Sequence, residues 1–159
     1  MFNYNRELFV EKSSFAIPQK LSNNKILMVD DDTELHDLTR VVLSDFINKN
    51  NIEMMHAYSG KEAMEVLRQD KDIQLVILDI QMKTSDAGLQ VARYIRKTLE
   101  KLCVKIMIRS GQLSICDNSE LLRDVAIGGL YQKQELDSKK LLKFVEESFF
   151  KTKDNLEAF

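Results

Sequence analysis

The sequence predicts an α/β fold: a doubly wound, five-stranded parallel sheet of order 2-1-3-4-5 with helices on both faces. Two observations carry this. From Lys25 onward, short continuous apolar runs, the mark of strands buried on both faces, alternate with longer amphipathic stretches. The chain's 159 residues, 44% of them apolar, are enough for one domain of ordinary size with a real core.

Residues 1–24 stand outside the alternation. They hold the only proline, Pro18, and end in the polar break Ser22-Asn23-Asn24, so they are expected to form an N-terminal extension. The first strand is Ile26-Leu27-Met28-Val29. A helix follows, with Leu35, Leu38, Val42 and Phe46 at helical spacing as its expected inner face. Ile52 to Tyr58 is a less apolar strand, placed near an edge. Ser59-Gly60 lead into a helix turning Ala63, Val66 and Leu67 inward. Ile73 to Leu78 is the third strand, and a loop from Ile80 to Ala87 leads to a helix with Val91, Ile95 and Leu99. Val104 to Ile108 is the fourth strand, Leu121, Leu122 and Val125 suggest a short helix, and Leu130-Tyr131 a short fifth strand. Leu141, Leu142, Val145 and Phe149 mark the last helix, which closes a domain over 25–150. Residues 151–159 read as a polar tail or the start of a linker.

Composition narrows the function. The 23 basic and 25 acidic residues leave a net charge of −2 with no basic tract, which argues against nucleic-acid binding by this chain. No apolar run is long enough to span a membrane, and the N-terminus lacks the apolar core of a signal peptide. Cys103 and Cys116 belong to no metal or disulfide pattern, so both are expected to be reduced thiols in a cytoplasmic protein.

In parallel sheets of this kind the ligand site lies beyond the carboxyl ends of the strands. There the chain places Asp30-Asp31-Asp32 after strand one, Asp79 after strand three, Arg109-Ser110 after strand four and Lys133 after strand five. The predicted strand order brings these ends together. The set suits phosphoryl transfer to a carboxylate. Asp79 is the nucleophile, and Asp31 and Asp79 begin an oxygen site for Mg²⁺ (or Mn²⁺), with Asp30 holding a coordinated water. Lys133 supplies a mobile positive charge and Ser110 a hydroxyl for phosphoryl oxygens. Arg109 is unexpected on a buried strand. Its long stem is expected to carry the guanidinium to the rim, with a phosphate contact as the alternative. His36 and His56 lack metal-ligand spacing and are read as surface or packing residues.

The segments KILMVDDD (25–32) and LVILDIQM (75–82), with Ser110 and Lys133, resemble the motifs of response-regulator receiver domains over roughly residues 25–150. The resemblance implies a flavodoxin-like receiver fold with Asp79 as phosphoacceptor and Asp30 and Asp31 as the acidic pair. Asp32 takes the third acidic position, often glutamate. It further implies the backbone carbonyl of Gln81 as a metal ligand, Ser110 as the switch hydroxyl and Lys133 as the site lysine. The phosphodonor would be a histidine kinase or a phosphotransfer protein. An output domain and a homodimer stay open. His36 to Thr39, Asp86 to Leu89 with Tyr94-Ile95-Arg96, and Arg109 to Gln112 are similar to N-terminal receivers of regulators handling cyclic di-GMP, often HD-type phosphodiesterases. Gln81 and Gln112 are candidates for orienting water in dephosphorylation.

Three departures bear on switching. Gln134 stands where many receivers have proline, Leu130 replaces the aromatic switch residue, and Met82-Lys83-Thr84 replaces a Met-Pro loop. Tyr131, next to Leu130, points to the opposite face. The expected switch therefore runs from Ser110 through the loop at 111–118. Two other readings compete. A haloacid-dehalogenase-type phosphatase needs Asp-x-Asp-x-Thr/Val, and Asp30 to Glu34 puts threonine one position early. A receiver-like scaffold that is never phosphorylated usually lacks the acceptor or the acidic pair, and both are present.

Overall fold

The computed structural model describes residues 24–84, 86–111 and 125–150. Its elements are β1 (Lys25–Val29), α1 (Thr33–Asn50), β2 (Glu53–Ala57), α2 (Gly60–Gln69), β3 (Ile73–Asp79), α3 (Ala87–Arg93, running on as a π-helical turn Tyr94–Thr98), β4 (Lys105–Ser110), β5 (Gly129–Gln132) and α4 (Ser138–Phe150). The five strands form one parallel sheet in the order β2-β1-β3-β4-β5, as the alternation predicts, with β2 at an edge. The sequence-predicted short helix falls largely outside the described residues, although Val125 is described and buried. Most of the proposed N-terminal extension, the C-terminal tail and Gln112 also lie outside them.

Alternation along each strand divides the core into two layers. Leu27, Val29, Val76, Leu78, Ile106 and Ile108 pack with Ala63 and Leu67 of α2 and Leu89, Val91 and Ile95 from α3 and its π turn. On the other face Ile26, Leu75, Ile77 and Met107 pack with Leu43 and Phe46 of α1 and Leu141 and Val145 of α4. Leu130 joins the first layer and Tyr131 the second, where its ring meets Phe144 edge-on at 5.8 Å. The opposite-face expectation for this pair holds.

The inner face of α1 differs from the expected one. His36, Thr39, Leu43 and Phe46 are buried, whereas Leu38 is 58% exposed. Leu35, Leu38 and Val42 instead line a small cavity between α1 and α4. Apolar spacing alone misplaces the face by one residue, because the first turns of α1 cover the polar strand ends and turn polar side chains toward them.

Helices α1 and α2 are capped locally. Asp32 caps α1 by accepting from the Glu34 amide at 2.9 Å. Ser59 caps α2, accepting from the Glu62 amide, while the Glu62 carboxylate returns a hydrogen bond to the Tyr58 amide. The π turn presents Arg96, which is buried and donates to the carbonyls of Lys101, Val104, Val125 and Ala126. This guanidinium ties the end of α3 to the segments leading into β4 and β5, giving four backbone carbonyls a donor.

Candidate functional site

The sheet alternation builds the site. Asp30 continues the face of Ile26, Asp79 that of Leu75 and Ile77, and Arg109 that of Met107. These strands are neighbours, and Asp79 is in register with Arg109. The three charged side chains therefore start in a row on the α1/α4 side of the sheet, with Asp79 in the middle.

Asp79 is 2% exposed. One carboxylate oxygen accepts from the Gln81 amide at 3.1 Å and the other from Lys133 Nζ at 2.8 Å. Lys133 Nζ also lies 3.1 Å from Asp30 Oδ2, and the Lys133 amide donates to the carbonyl of Ser110. Asp30 is fully buried, and its Oδ1 accepts from the Asp32 amide at 3.0 Å. Asp31 is exposed, yet one oxygen from each of Asp30, Asp31 and Asp79 falls within 4.8 Å of the others. The three consecutive aspartates thus divide: Asp30 is buried in the pocket, Asp31 borders its open side, and Asp32 caps α1. Ser110 is buried at the end of β4. Gln81 is half-buried, with its side-chain oxygen turned toward Gly111, 3.8 Å from where a Cβ there would stand.

Burial lifts the Asp79 carboxyl above the usual carboxylate value, and the charge of Asp30 adds to the effect; Lys133 and the Gln81 amide oppose it. Burial also works against the Lys133 ammonium, but its hydrogen bond to Asp79 and the charges of Asp30 and Asp79 outweigh this and raise its pKa. Lys133 is therefore cationic at neutral pH.

The expectation for Arg109 is corrected. The guanidinium does not reach the rim: the residue is 6% exposed, with Nη2 3.1 Å from Asp30 Oδ2 and Nη1 3.2 Å from Thr39 Oγ1. A buried carboxylate draws it inward more strongly than solvent draws it out, because Asp30 lies away from water and shares its other cation, Lys133, with Asp79.

Sequence reasoning missed two features. Gly88, at the start of α3, lies so close to the end of β3 that a Cβ would stand 2.1 Å from the Asp79 carbonyl oxygen. Only glycine allows that approach, which is secured by the hydrogen bond from the Gly88 amide to the Ile80 carbonyl. The other is a histidine pair. His36 Nε2 is 2.8 Å from the Asp30 carbonyl oxygen, and His36 Nδ1 is 2.7 Å from His56 Nδ1. A carbonyl only accepts, so His36 carries its proton on Nε2. In the neutral pair His56 then donates from Nδ1. Of the surface and packing roles expected for these residues, packing is the one seen, with the His36 ring also 4.4 Å from that of Tyr58. No metal spacing in the sequence could signal the contact, since β2 brings His56 to α1 only in the fold.

Burial lowers the His56 pKa below 6.5, helped by His36 and Arg40 and opposed by Asp37. The native state then favours neutral His56. Its contribution to stability is complete above about pH 6.5 and is lost as pH falls through the lower folded value. The melting temperature is expected to fall between pH 7 and pH 5.5, and to fall less in His56→Gln. Parallel pH curves for the two proteins would contradict this.

Fold and site together define a parallel α/β module with a lysine-paired acidic pocket at its strand ends. The Response regulator receiver domain family matches residues 26–146, and the chain belongs to that family. Among curated proteins it is 35% identical over 117 residues to the 3'3'-cGAMP-specific phosphodiesterase 2 of Vibrio cholerae, a match covering 73% of this chain and 22% of that protein. It is 28% identical over 113 residues to the transcriptional regulatory protein CpxR of Escherichia coli, covering 71% of this chain and 46% of the relative. The chain therefore spans less than half the length of either relative. Among solved structures, a receiver protein from Pseudomonas putida superposes with a TM-score of 0.64 at 25% identity, covering 79% of this chain and 97% of that one. The chemotaxis protein CheY4 of Vibrio cholerae gives 0.66 at 20% identity, covering 79% and 98%, and shares the fold. Among the described residues, no helix is long and apolar enough to cross a membrane.

Proposed function

We propose that this receiver takes a phosphoryl group onto Asp79 from a histidine kinase or phosphotransfer protein and uses the change to control an output. The observation that carries the reading is the placement of Asp79: buried at a rigid strand end, one oxygen held by the Gln81 amide and the other by Lys133, with Asp30 and Asp31 alongside. Receiver-family membership supports it.

The carboxylate set fits Mg²⁺. It offers hard oxygen donors, two buried and one exposed, so the site is walled on one side and open for waters and phosphoryl oxygens on the other. Asp31 and Asp79 would hold the ion directly, with the Gln81 carbonyl, and Asp30 through water; Mn²⁺ has the same ligand preferences. When bound, the ion supplies positive charge that offsets repulsion between the carboxylates and the donor. The chain's own residues do the rest. An Asp79 oxygen attacks the phosphorus, a new P–O bond forms, and the donor leaves with the electron pair of the bond that breaks. Lys133 follows the charge from Asp79 to the phosphoryl oxygens, a short move for a flexible ammonium. The Ser110 hydroxyl donates to a phosphoryl oxygen and biases the segment that follows β4. Gln81, half-buried with its side-chain oxygen turned toward Gly111, orients water for dephosphorylation.

Similarity to the Vibrio 3'3'-cGAMP-specific phosphodiesterase supports an output in a cyclic-dinucleotide pathway. With Mg²⁺ and acetyl phosphate the chain is expected to gain one phosphoryl group per molecule, visible by intact-mass spectrometry and absent when the metal is chelated. A chain that stays unmodified with excess donor and metal would leave the scaffold reading in its place.

A further inference from the structure

We infer that Arg109 is a resident counter-cation for Asp30, a positioning residue that sets how strongly the acidic pocket attracts a divalent ion. The inference rests on the receiver reading above and extends it.

Asp30 Oδ2 has two cationic partners, each at 3.1 Å: Lys133 Nζ and Arg109 Nη2. They differ in freedom. Lys133 comes from the residue just after β5, is half-buried, and divides its ammonium between Asp30 and Asp79. Arg109 is buried within β4 and pinned by Thr39 on α1. When Lys133 turns to a phosphoryl group, Arg109 stays. Asp30 then keeps one partner, so the carboxylate need not swing away in mid-reaction.

The position is costly for packing alone. Among the described residues the Arg109 Nε is buried with no hydrogen-bond partner, and an unmet buried donor is unfavourable. A buried ion pair is also often no better than apolar residues of the same volume. Met107, two residues earlier on the same face, shows what the core accepts there. A guanidinium in its place is explained by what it does to the carboxylates.

That effect has a definite sign. The three carboxylates of the cluster face two cations, where an apolar residue at 109 would leave them only one. Arg109 thus weakens the pull on a divalent cation while keeping Asp30 paired and aimed. The pocket spends less of its field on the metal, and the exchange of Lys133 from carboxylate to phosphoryl oxygens leaves no bare charge behind.

Isothermal calorimetry of the full chain with MgCl₂ tests this through the dissociation constant, without reference to phosphorylation. Arg109→Met is expected to bind Mg²⁺ about fivefold or more tightly than wild type, given the strength of charge interactions at a partly buried site. Arg109→Gln, which keeps hydrogen-bonding groups but not the charge, is expected to tighten binding too, and is the variant to read if the methionine protein does not fold. Arg109→Lys keeps the charge and should stay within about twofold of wild type. A merely structural role would rank the variants by lost contacts and weaken binding in all three. Unchanged or weaker binding in the neutral variants overturns the inference while leaving the receiver reading intact, provided wild type binds Mg²⁺ and is phosphorylated. A wild-type chain that does neither sinks both.

Discussion

Asp79→Asn is expected to abolish phosphorylation by acetyl phosphate under conditions that modify wild type fully. An amide nitrogen's lone pair is delocalised into its carbonyl, and the carbonyl oxygen lacks the carboxylate's charge, so neither attacks phosphorus effectively. The other carboxylates cannot substitute. Asp30 is fully buried with both oxygens engaged, by the Asp32 amide and by Arg109 and Lys133. Asp31 is exposed and lacks the lysine that meets Asp79 at 2.8 Å. The fold should survive, because Lys133 keeps Asp30 as a partner and one of three like charges is gone. The wild-type adduct, an acyl phosphate, should resist acid and be lost in base. Equal labelling of Asp79→Asn, with an unchanged melting temperature to show that it is folded, would remove Asp79 from the role.

Gly88→Ala is expected to cost about 3 kcal/mol of stability, the upper end for overpacking at a close-packed site. The added methyl would stand 2.1 Å from the Asp79 carbonyl oxygen and 2.6 Å from the Ile80 Cα, both backbone atoms that no rotamer change can move. Alanine's better helix propensity, about 1 kcal/mol, only partly offsets this. Relief requires α3 to lift from the end of β3, which stretches the 3.1 Å hydrogen bond from the Gly88 amide to the Ile80 carbonyl. Asp79 is the last residue of β3, so the same displacement should slow phosphorylation. Urea unfolding and the rate of acetyl phosphate labelling read the two effects. A stability within about 0.5 kcal/mol of wild type would show that α3 moves aside freely.

The alternation of apolar runs with amphipathic stretches determined the five-stranded sheet and its order, because parallel strands buried on both faces admit few other patterns. Residue chemistry at predicted strand ends picked out Asp30, Asp31, Asp79, Ser110 and Lys133 as candidates, since that topology gathers such ends on one side of the sheet. The two-residue period also separated Leu130 from Tyr131. Tertiary structure decided what depends on distances between elements. It turned α1 so that His36 and Thr39, not Leu38, face the sheet, since a helix's rotation answers to the groups beneath it as well as to its own apolar stripe. It joined His36 to His56, made Gly88 indispensable through one close approach, and drew Arg109 inward. In the sequence Arg109 is a long cation on an apolar strand, with the rim as its natural place. Only the fold sets Asp30 across β3 from it, and a buried charge takes the partner that lies within reach.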